Sequence, residues 1–298
     1  MSSQRIVVVP KPLEALPPML DPAANDPESL AIARRLEVAR REHAASLRTV
    51  REVMAAQPDV TWLATPSRAG LAGAALVITV GGDGTFLTVA RHCRKTPLFG
   101  VNSSPSTSTG HYCIAQPETL AALLEAWRDG ALERTELARV RSEIAGKPLP
   151  YDALNDVLFA NRTPVSSTRY ALRIGDVTEL QLSSGIWIAT ASGSTAAIHS
   201  AGGGIRPMHD HRLQWRVREP YLRDGETRAL LFGFTDEAID IVSRSDKNAL
   251  YIDGHGEPFL VPRGARARLF RSPDPLCAYL VAPAVHLREA PPLTSELD

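Results

Sequence analysis

Gly81-Gly82-Asp83-Gly84-Thr85 decides how this chain is read. It follows the apolar run Ala74–Val80, which reads as a buried strand, and it precedes Phe86–Cys93, which reads as a helix. Glycine at three of four positions lets a strand turn sharply into a helix and lets a ligand approach bare backbone. The exposed N–H groups and the helix N-terminus then favour phosphate. Asp83 sits in the middle, where a plain phosphate cradle has no use for a carboxylate. A carboxylate beside phosphate repels it unless Mg²⁺ intervenes or the carboxylate takes a proton from a hydroxyl nucleophile. The combination points to phosphoryl transfer to an alcohol. The competing reading is a Gly-rich β–α turn with a surface aspartate.

Around this turn, residues 5–128 alternate strand and helix. Ile6–Val9 is a β-branched run, and Asp26-Pro27 reads as an N-cap followed by proline at the first helical position. A long charged helix is expected to about Ala56, with Leu30, Ala33, Leu36, Leu47, Val50 and Met54 toward the core. Thr61–Ala64 and Pro97–Asn102 read as strands, and Pro117–Arg128 as a helix. The alternation predicts a Rossmann-like parallel sheet covered by helices.

After about Gly130, short strand-like runs follow one another, from Glu136–Ile144 through Ala265–Phe270, with one helix near Ser194–Ala201. The expected architecture is therefore an α/β N-terminal domain, residues 1–130, and an all-β second domain, residues 131–272. A C-terminal segment, 273–298, is expected to pack back on the first domain. Residues 1–4 and roughly 289–298 are polar or Pro-rich and read as disordered tails.

The 298 residues allow a large core, and 44% apolar with 22% charged residues is ordinary for a soluble globular protein. Formal net charge is zero, so no global pull toward nucleic acid or a membrane follows. Cys93, Cys113 and Cys277 lack metal-ligand spacing and suit a reducing compartment. No signal peptide is read before the first strand, and no apolar run nears the roughly 20 residues needed to span a bilayer. These features read as a cytoplasmic enzyme.

Four further segments carry chemistry. In Leu154-Asn155-Asp156-Val157 a polar pair interrupts an apolar strand. Asn155 and Asp156 read either as acceptors for a sugar hydroxyl or base, or as a solvent-facing bulge. In Thr190-Ala191-Ser192-Gly193-Ser194-Thr195-Ala196 a strand runs into a hydroxyl-rich turn and a helix start. That suits a phosphate or nucleotide base, and equally an ordinary capped helix. Gly100-Val101-Asn102-Ser103 through Gly110-His111-Tyr112-Cys113 leaves a strand at the same sheet edge as the Gly turn, where loops usually bind ligands. Tyr251-Ile252-Asp253-Gly254 ends a predicted strand and reads as a turn signal with a site role open.

Taken together, these segments resemble the NAD kinases. Members carry a GGDGT turn after a strand, then an Asn-Glu pair, then a Thr/Ser/Gly-rich turn ending in Ser-Thr-Ala. Here these are Gly81–Thr85, Asn155-Asp156 and Thr190–Ala196, and the resemblance covers roughly residues 5–285. Asp156 stands for the usual Glu, Ser184-Gly185 for the usual Asp-Gly, Ala197 for the Tyr that commonly follows Ser-Thr-Ala, and Ser108–Cys113 for the usual Leu-Gly-Phe segment. The last replacement and Ser183–Gly185 look similar to the branch of animal mitochondrial NAD kinases and a plant NADH kinase.

The resemblance implies a phosphotransferase acting on the 2′-hydroxyl of the adenosine ribose of NAD or NADH. It implies ATP or another phosphoryl donor as co-substrate, Mg²⁺ as metal, and a homodimer. It further implies that Asp83 accepts the hydroxyl proton while Gly81, Gly82, Gly84 and Thr85 hold donor phosphates. Asn102, Asn155, Asp156 and Ser184 would contact the dinucleotide. Thr190, Ser192, Gly193, Ser194, Thr195 and Ala196 would line its adenine or ribose pocket. A lipid kinase of the GGDGT superfamily would place its Asn-Glu pair almost directly after the turn, where Phe86-Leu87-Thr88 stands instead. A phosphofructokinase-type enzyme would need a basic cluster and a second aspartate close by. A non-catalytic dinucleotide sensor would have no use for Asp83.

Overall fold

The computed structural model describes residues 4–12 and 26–280. The expectations for residues 1–3 and 289–298 concern residues outside these. The chain divides into two compact units, one reaching Glu136 and taking in the segment from Leu276, the other spanning Leu137–Pro275.

The first unit runs β1 (Ile6–Pro10), α1 (Pro27–Ala55), β2 (Val60–Trp62), α2 (Arg68–Leu71), β3 (Leu76–Gly81), α3 (Asp83–Ala90), β4 (Leu98–Asn102), β5 (Cys113–Ala115), α4 (Leu120–Arg128) and β6 (Thr135–Leu137). The sheet order is β2-β1-β3-β4, then Leu276–Ala278, then β6, with β5 also on β4. The pairs β1–β2, β1–β3, β3–β4, β4–β5 and β4 with Leu276–Ala278 are all parallel. β3 and β4 are buried at every position, as strands covered on both faces must be, which is why they read as near-continuous apolar runs, with Thr79 and Asn102 the polar members. Register pairs Val77 with Leu98 and ends with Gly81 beside Asn102. The turn after β3 and the loop after β4 therefore leave the same edge of the sheet.

Asp26 caps α1 by accepting the Ser29 N–H at 2.9 Å, with Pro27 in the first turn. Only the C-terminal half of this helix buries side chains: His43, Ser46, Val50 and Met54. Leu30, expected in the core, is 42% exposed. The reason is length. Twenty-nine residues at 1.5 Å per residue make a helix of roughly 44 Å, whereas five-residue strands span only about 17 Å. Half of the helix has no sheet to cover.

Among the described residues the second unit is built of antiparallel strands with two short helical pieces, a 3₁₀ turn at Ser192–Thr195 and α5: β7 (Val140–Ile144), β8 (Lys147–Pro148), β9 (Asp156–Asn161), β10 (Thr168–Ile174), β11 (Val177–Ser183), β12 (Gly185–Ala189), α5 (Ala197–Ser200), β13 (Leu213–Arg218), β14 (Phe232–Thr235), β15 (Ile239–Ser243), β16 (Asn248–Ile252), β17 (His255–Leu260) and β18 (Arg266–Arg271). They form two six-stranded sheets, β11-β10-β15-β18-β7-β8 and β14-β13-β12-β9-β16-β17. One apolar core joins residues of both sheets, among them Phe159, Tyr170, Leu172, Ile188, Ile241 and Leu250. β10 shows the period-two pattern that builds it, with Tyr170 and Leu172 buried and Arg169 and Arg173 exposed.

No helix among the described residues is long and apolar enough to cross a membrane. Phe159 is fully buried and meets Tyr170 edge-on, with ring centroids 5.3 Å apart. Phe159→Ala is expected to destabilise the second unit by about 3–5 kcal/mol. Denaturant unfolding followed by tryptophan fluorescence, with Trp187 and Trp215 in this unit, measures it.

Candidate active site

Asp83 is the first residue of α3, following Gly82 as N-cap in extended conformation. Gly81, Gly82 and Gly84 all avoid the left-handed region, so glycine at 81 and 82 serves for room rather than for a positive φ. A Cβ on Gly81 would run into the Thr85 side chain, and one on Gly82 would come within 2.6 Å of Ser108 Oγ. Thr85 and Phe86 N–H groups both turn back onto the Gly82 carbonyl, at 3.0 and 3.2 Å. The helix start leaves its earliest N–H groups without intrahelical acceptors. Asp83 Oδ1 accepts the main-chain N–H of Tyr112 at 2.8 Å. The Cys113 thiol beside it is pushed up to about 12, first by burial and then by the Asp83 charge, so it stays a neutral thiol.

The loop after β4 is fastened from within. Asn102 Oδ1 accepts the Ser104 N–H at 3.2 Å, while its Nδ2 donates to the Ser108 carbonyl at 3.1 Å. The Ser103 N–H donates to the Gly81 carbonyl at 3.1 Å. Helix α1 holds the other side. Ser46 donates to the Ser103 carbonyl at 2.9 Å, and Ser104 donates to Glu42 at 2.7 Å. Buried His43 bridges Ser103 Oγ at 2.8 Å and the Lys11 carbonyl at 2.9 Å. A carbonyl only accepts, so Nε2 carries the proton and Nδ1 accepts from Ser103. Burial, the largest cause, holds the His43 pKa below its ordinary value, consistent with this neutral ring. Asn102 thus organises the loop, and the loop sets Ser108 against the Gly turn. Sequence reasoning had not singled out Glu42, His43 or Ser46, which lie some sixty residues before the loop they hold.

In the second unit, Asp253 organises the Asn155-Asp156 pair. Its Oδ2 accepts the Leu154 N–H at 3.0 Å, and its Oδ1 accepts those of Asn155 and Asp156 at 2.8 and 3.2 Å. Asp253 itself has φ +49, a conformation that aspartate tolerates better than most residues. Asp156 is 5% exposed. Burial, and then the facing Asp253 charge, push its carboxyl up to about 7.

The Thr190–Ala196 turn is clamped to the same strand start. Thr190 Oγ1 donates to the Leu154 carbonyl at 2.5 Å and accepts the Gly193 N–H at 3.1 Å. Ser192 Oγ also reaches the Leu154 carbonyl, at 3.1 Å. Gly193 lies so close to Asn155 that any Cβ would overlap its backbone. Ser194 is fully buried and accepts the Arg206 N–H at 2.9 Å. Thr195 is exposed and Ala196 half-buried. Ser184 is half-buried, and its N–H donates to the Arg218 carbonyl at 3.0 Å. The structure therefore joins Asn155, Asp156, Thr190, Ser192 and Gly193 into one cluster around Asp253. It places Gly81–Thr85, Asn102, Ser108 and Tyr112 in a second cluster at the sheet edge.

Among the described residues no three or more His, Cys, Asp or Glu side chains gather to hold a metal. A magnesium ion that keeps most of its waters and rides on phosphates needs only one or two carboxylates, and Asp83 at the Gly turn fits that demand.

Asp156 makes stability depend on pH. Its folded pKa of about 7 lies above the unfolded value of 3.8, so between these the unfolded chain has lost a proton that the folded chain keeps. The resulting stabilisation is full below about pH 4 and disappears as pH rises through about 7. Asp156→Asn is expected to flatten the decline between those limits, as read from denaturant midpoints at a series of pH values.

Residues 25–131 match the family model for the ATP-NAD kinase N-terminal domain. A probable NADH kinase of rice, Oryza sativa subsp. japonica, is 36% identical over 203 residues, covering 60% of this chain and 62% of that protein. The NADH kinase of Arabidopsis thaliana is 30% identical over 294 residues, covering 85% of this chain and 88% of that protein. Two solved structures share the fold. An NAD kinase from Archaeoglobus fulgidus in complex with ATP has a TM-score of 0.64 at 23% identity, over 92% of this chain and 93% of that one. The yeast NADH kinase complexed with NADH has a TM-score of 0.71 at 13% identity, over 100% and 90%. With a plant NADH kinase aligned over most of both chains and the family's turn, polar pair and hydroxyl-rich motif in order, this chain belongs to the NAD kinase family, on the side of the plant NADH kinases.

Proposed function

We propose that this protein is an NAD(H) kinase, transferring the γ-phosphoryl group of ATP to the 2′-hydroxyl of the adenosine ribose of NAD or NADH. The observation that carries this reading is Asp83: a carboxylate fixed by a main-chain donor at the head of α3, next to Gly81 and Gly82, where a Cβ would meet Thr85 and Ser108. The relatives' names support the acceptor, and the ATP complex of the Archaeoglobus protein supports the donor.

The chemistry follows from the parts. N–H groups at the start of α3 and the Ser108 hydroxyl suit the donor phosphates. Asp83 orients the 2′-hydroxyl and takes its proton as that oxygen forms the new bond to phosphorus. The bond from phosphorus to the bridging oxygen breaks, and ADP leaves. A magnesium ion carried by the phosphates would neutralise their charge, with Asp83 the nearby carboxylate. The second unit offers Asn155, the Asp156 carboxyl and the rim residues Thr195 and Ala196 to the dinucleotide. The buried hydroxyls of Thr190, Ser192 and Ser194 shape that rim.

Asp83→Asn is nearly isosteric and removes only the proton acceptor. Turnover is expected to fall by about 10²–10⁴-fold with dinucleotide binding kept. A coupled NADP(H) assay beside isothermal titration checks both halves, and near-normal turnover would show that Asp83 is not the base.

Ser184 and Ala197 stand where commoner relatives have a carboxylate and a tyrosine. A carboxylate near the nicotinamide favours the cationic ring of NAD⁺ over the neutral ring of NADH, and its absence removes that bias. NADH is expected to be phosphorylated with kcat/KM within about one order of magnitude of NAD⁺, a gap of roughly 1.4 kcal/mol or less. Ser184→Asp should move the ratio toward NAD⁺. A hundredfold preference for NAD⁺ in the unaltered enzyme would refute the argument.

A further inference from the structure

Tyr112 lies in the segment between β4 and β5 and is 2% exposed. Its ring stacks on Phe86, with centroids 4.9 Å apart and planes 8° from parallel. Phe86 follows Asp83 by three residues in α3, so the two project from one face of the helix. A residue stacked on Phe86 therefore brings its own backbone over the first turn. The backbone on either side of Tyr112 is held as well. Gly110 adopts φ +63, and a Cβ there would run into the Asn102 side chain. The Cys113 N–H closes a turn onto the Gly110 carbonyl at 2.9 Å, and Cys113 then pairs with Gly100 in the sheet. Between these anchors the Tyr112 N–H has one direction to point, and it meets Asp83 Oδ1 at 2.8 Å.

We propose that Tyr112 is the positioning residue for Asp83. Its ring, held on Phe86, presents its main-chain N–H to Oδ1, fixes the carboxylate in one rotamer and leaves Oδ2 to receive the hydroxyl proton. This rests on the reading of Asp83 as the proton acceptor. A carboxylate at a helix start, next to incoming phosphates, is otherwise free to swing away from the like charge or to fold back onto the N–H groups of its own first turn. Either movement takes the base off the 2′-oxygen and occupies donors meant for phosphate. One hydrogen bond from a rigid neighbour blocks both. Being ionic on one side, it is of the stronger kind.

The direct test replaces Tyr112 by its α-hydroxy acid analogue through nonsense suppression. This exchanges the main-chain N–H for an ester oxygen and keeps the ring. We expect kcat to fall about 10- to 100-fold, with KM for ATP and for the dinucleotide within about twofold and the unfolding midpoint close to that of the unaltered protein. Tyr112→Ala should lose kcat as well, and Tyr112→Phe, which keeps the stack, should restore most of it. An ester variant with kcat within about twofold of the unaltered enzyme overturns the proposal. So does an ester variant whose loss lies wholly in KM. A second readout does not depend on turnover: Asp83→Ala should speed hydrogen exchange of the Tyr112 amide about tenfold or more, and unchanged exchange overturns the contact itself. Absence of NADP(H) formation by folded unaltered protein would instead defeat the kinase reading, while the exchange experiment still decides whether Tyr112 holds Asp83.

Discussion

Strands β3 and β4 run parallel and in register until Gly81 stands beside Asn102. Everything chemical in the first unit hangs on that pairing. It brings two chain exits to one sheet edge, and the two exits then have to pass each other at close range. A Cβ at Gly82 would meet Ser108, so the first exit is bare where the second crosses it, and a Cβ at Gly110 would meet Asn102 within the second exit itself. The closeness lets the main chain of the second exit reach the Asp83 carboxylate on the first. A register slip of one residue would turn every side chain of β4 to the opposite face and take Asn102 out of the loop it organises.

Much of this was legible in the sequence. The apolar run Ala74–Val80 read as a buried strand and Pro97–Asn102 as a second one of the α/β domain, and the short strand-like runs after Gly130 read as an all-β domain, as β3, β4 and the second unit's sheets have it. The misses have physical reasons. The strand-like runs read after Gly130 do not include β17, which carries Gly256 and Pro258. At the edge of its sheet a proline withholds no hydrogen bond that the ladder needs, so the strand forms regardless. Leu30 obeys the helical period, but period describes a face of the helix and not what lies opposite it. Asp253 read as a turn residue because a turn is what it makes, with φ +49. That its carboxylate also gathers three N–H groups from a segment ninety-seven or more residues earlier is a long-range fact that local pattern does not carry. The Tyr112 contact was invisible for a stricter reason. Every residue but proline has an N–H, so its donor leaves no mark in the side-chain alphabet.

Both clusters use a carboxylate on main-chain donors, and the difference between them is instructive. Asp253 is buried and takes three N–H groups, which together fix the path of Leu154–Asp156. Asp83 is half-exposed and takes one, which fixes an orientation while leaving an oxygen for chemistry. The buried carboxylate has a further effect. Asp156 emerges next to it at the same strand start, and two acidic groups in one dry place do not both ionise readily. Asp156 is the member that yields: it remains protonated up to about pH 7, while Asp253 is the one surrounded by donors.

In the hydroxyl-rich turn most of the polar groups face inward. Thr190 and Ser192 converge on one acceptor, the Leu154 carbonyl, and Thr190 hands its oxygen on to the Gly193 N–H. A buried carbonyl without donors would cost about 1–3 kcal/mol, so these hydroxyls are first of all the reason the turn can lie against the strand start. Gly193 lets it lie that close, since the Asn155 backbone occupies the space of a side chain. In the proposed reading, what remains for a dinucleotide is the outcome of this packing: Asn155 and the carboxyl of Asp156 held at fixed places, with Thr195 and Ala196 at the rim. Removing a hydroxyl here should therefore act on binding through the shape and rigidity of the strand start, and replacing Ser by Thr at 192 or 194 should hurt more than losing a surface contact would, because both sites are already closed.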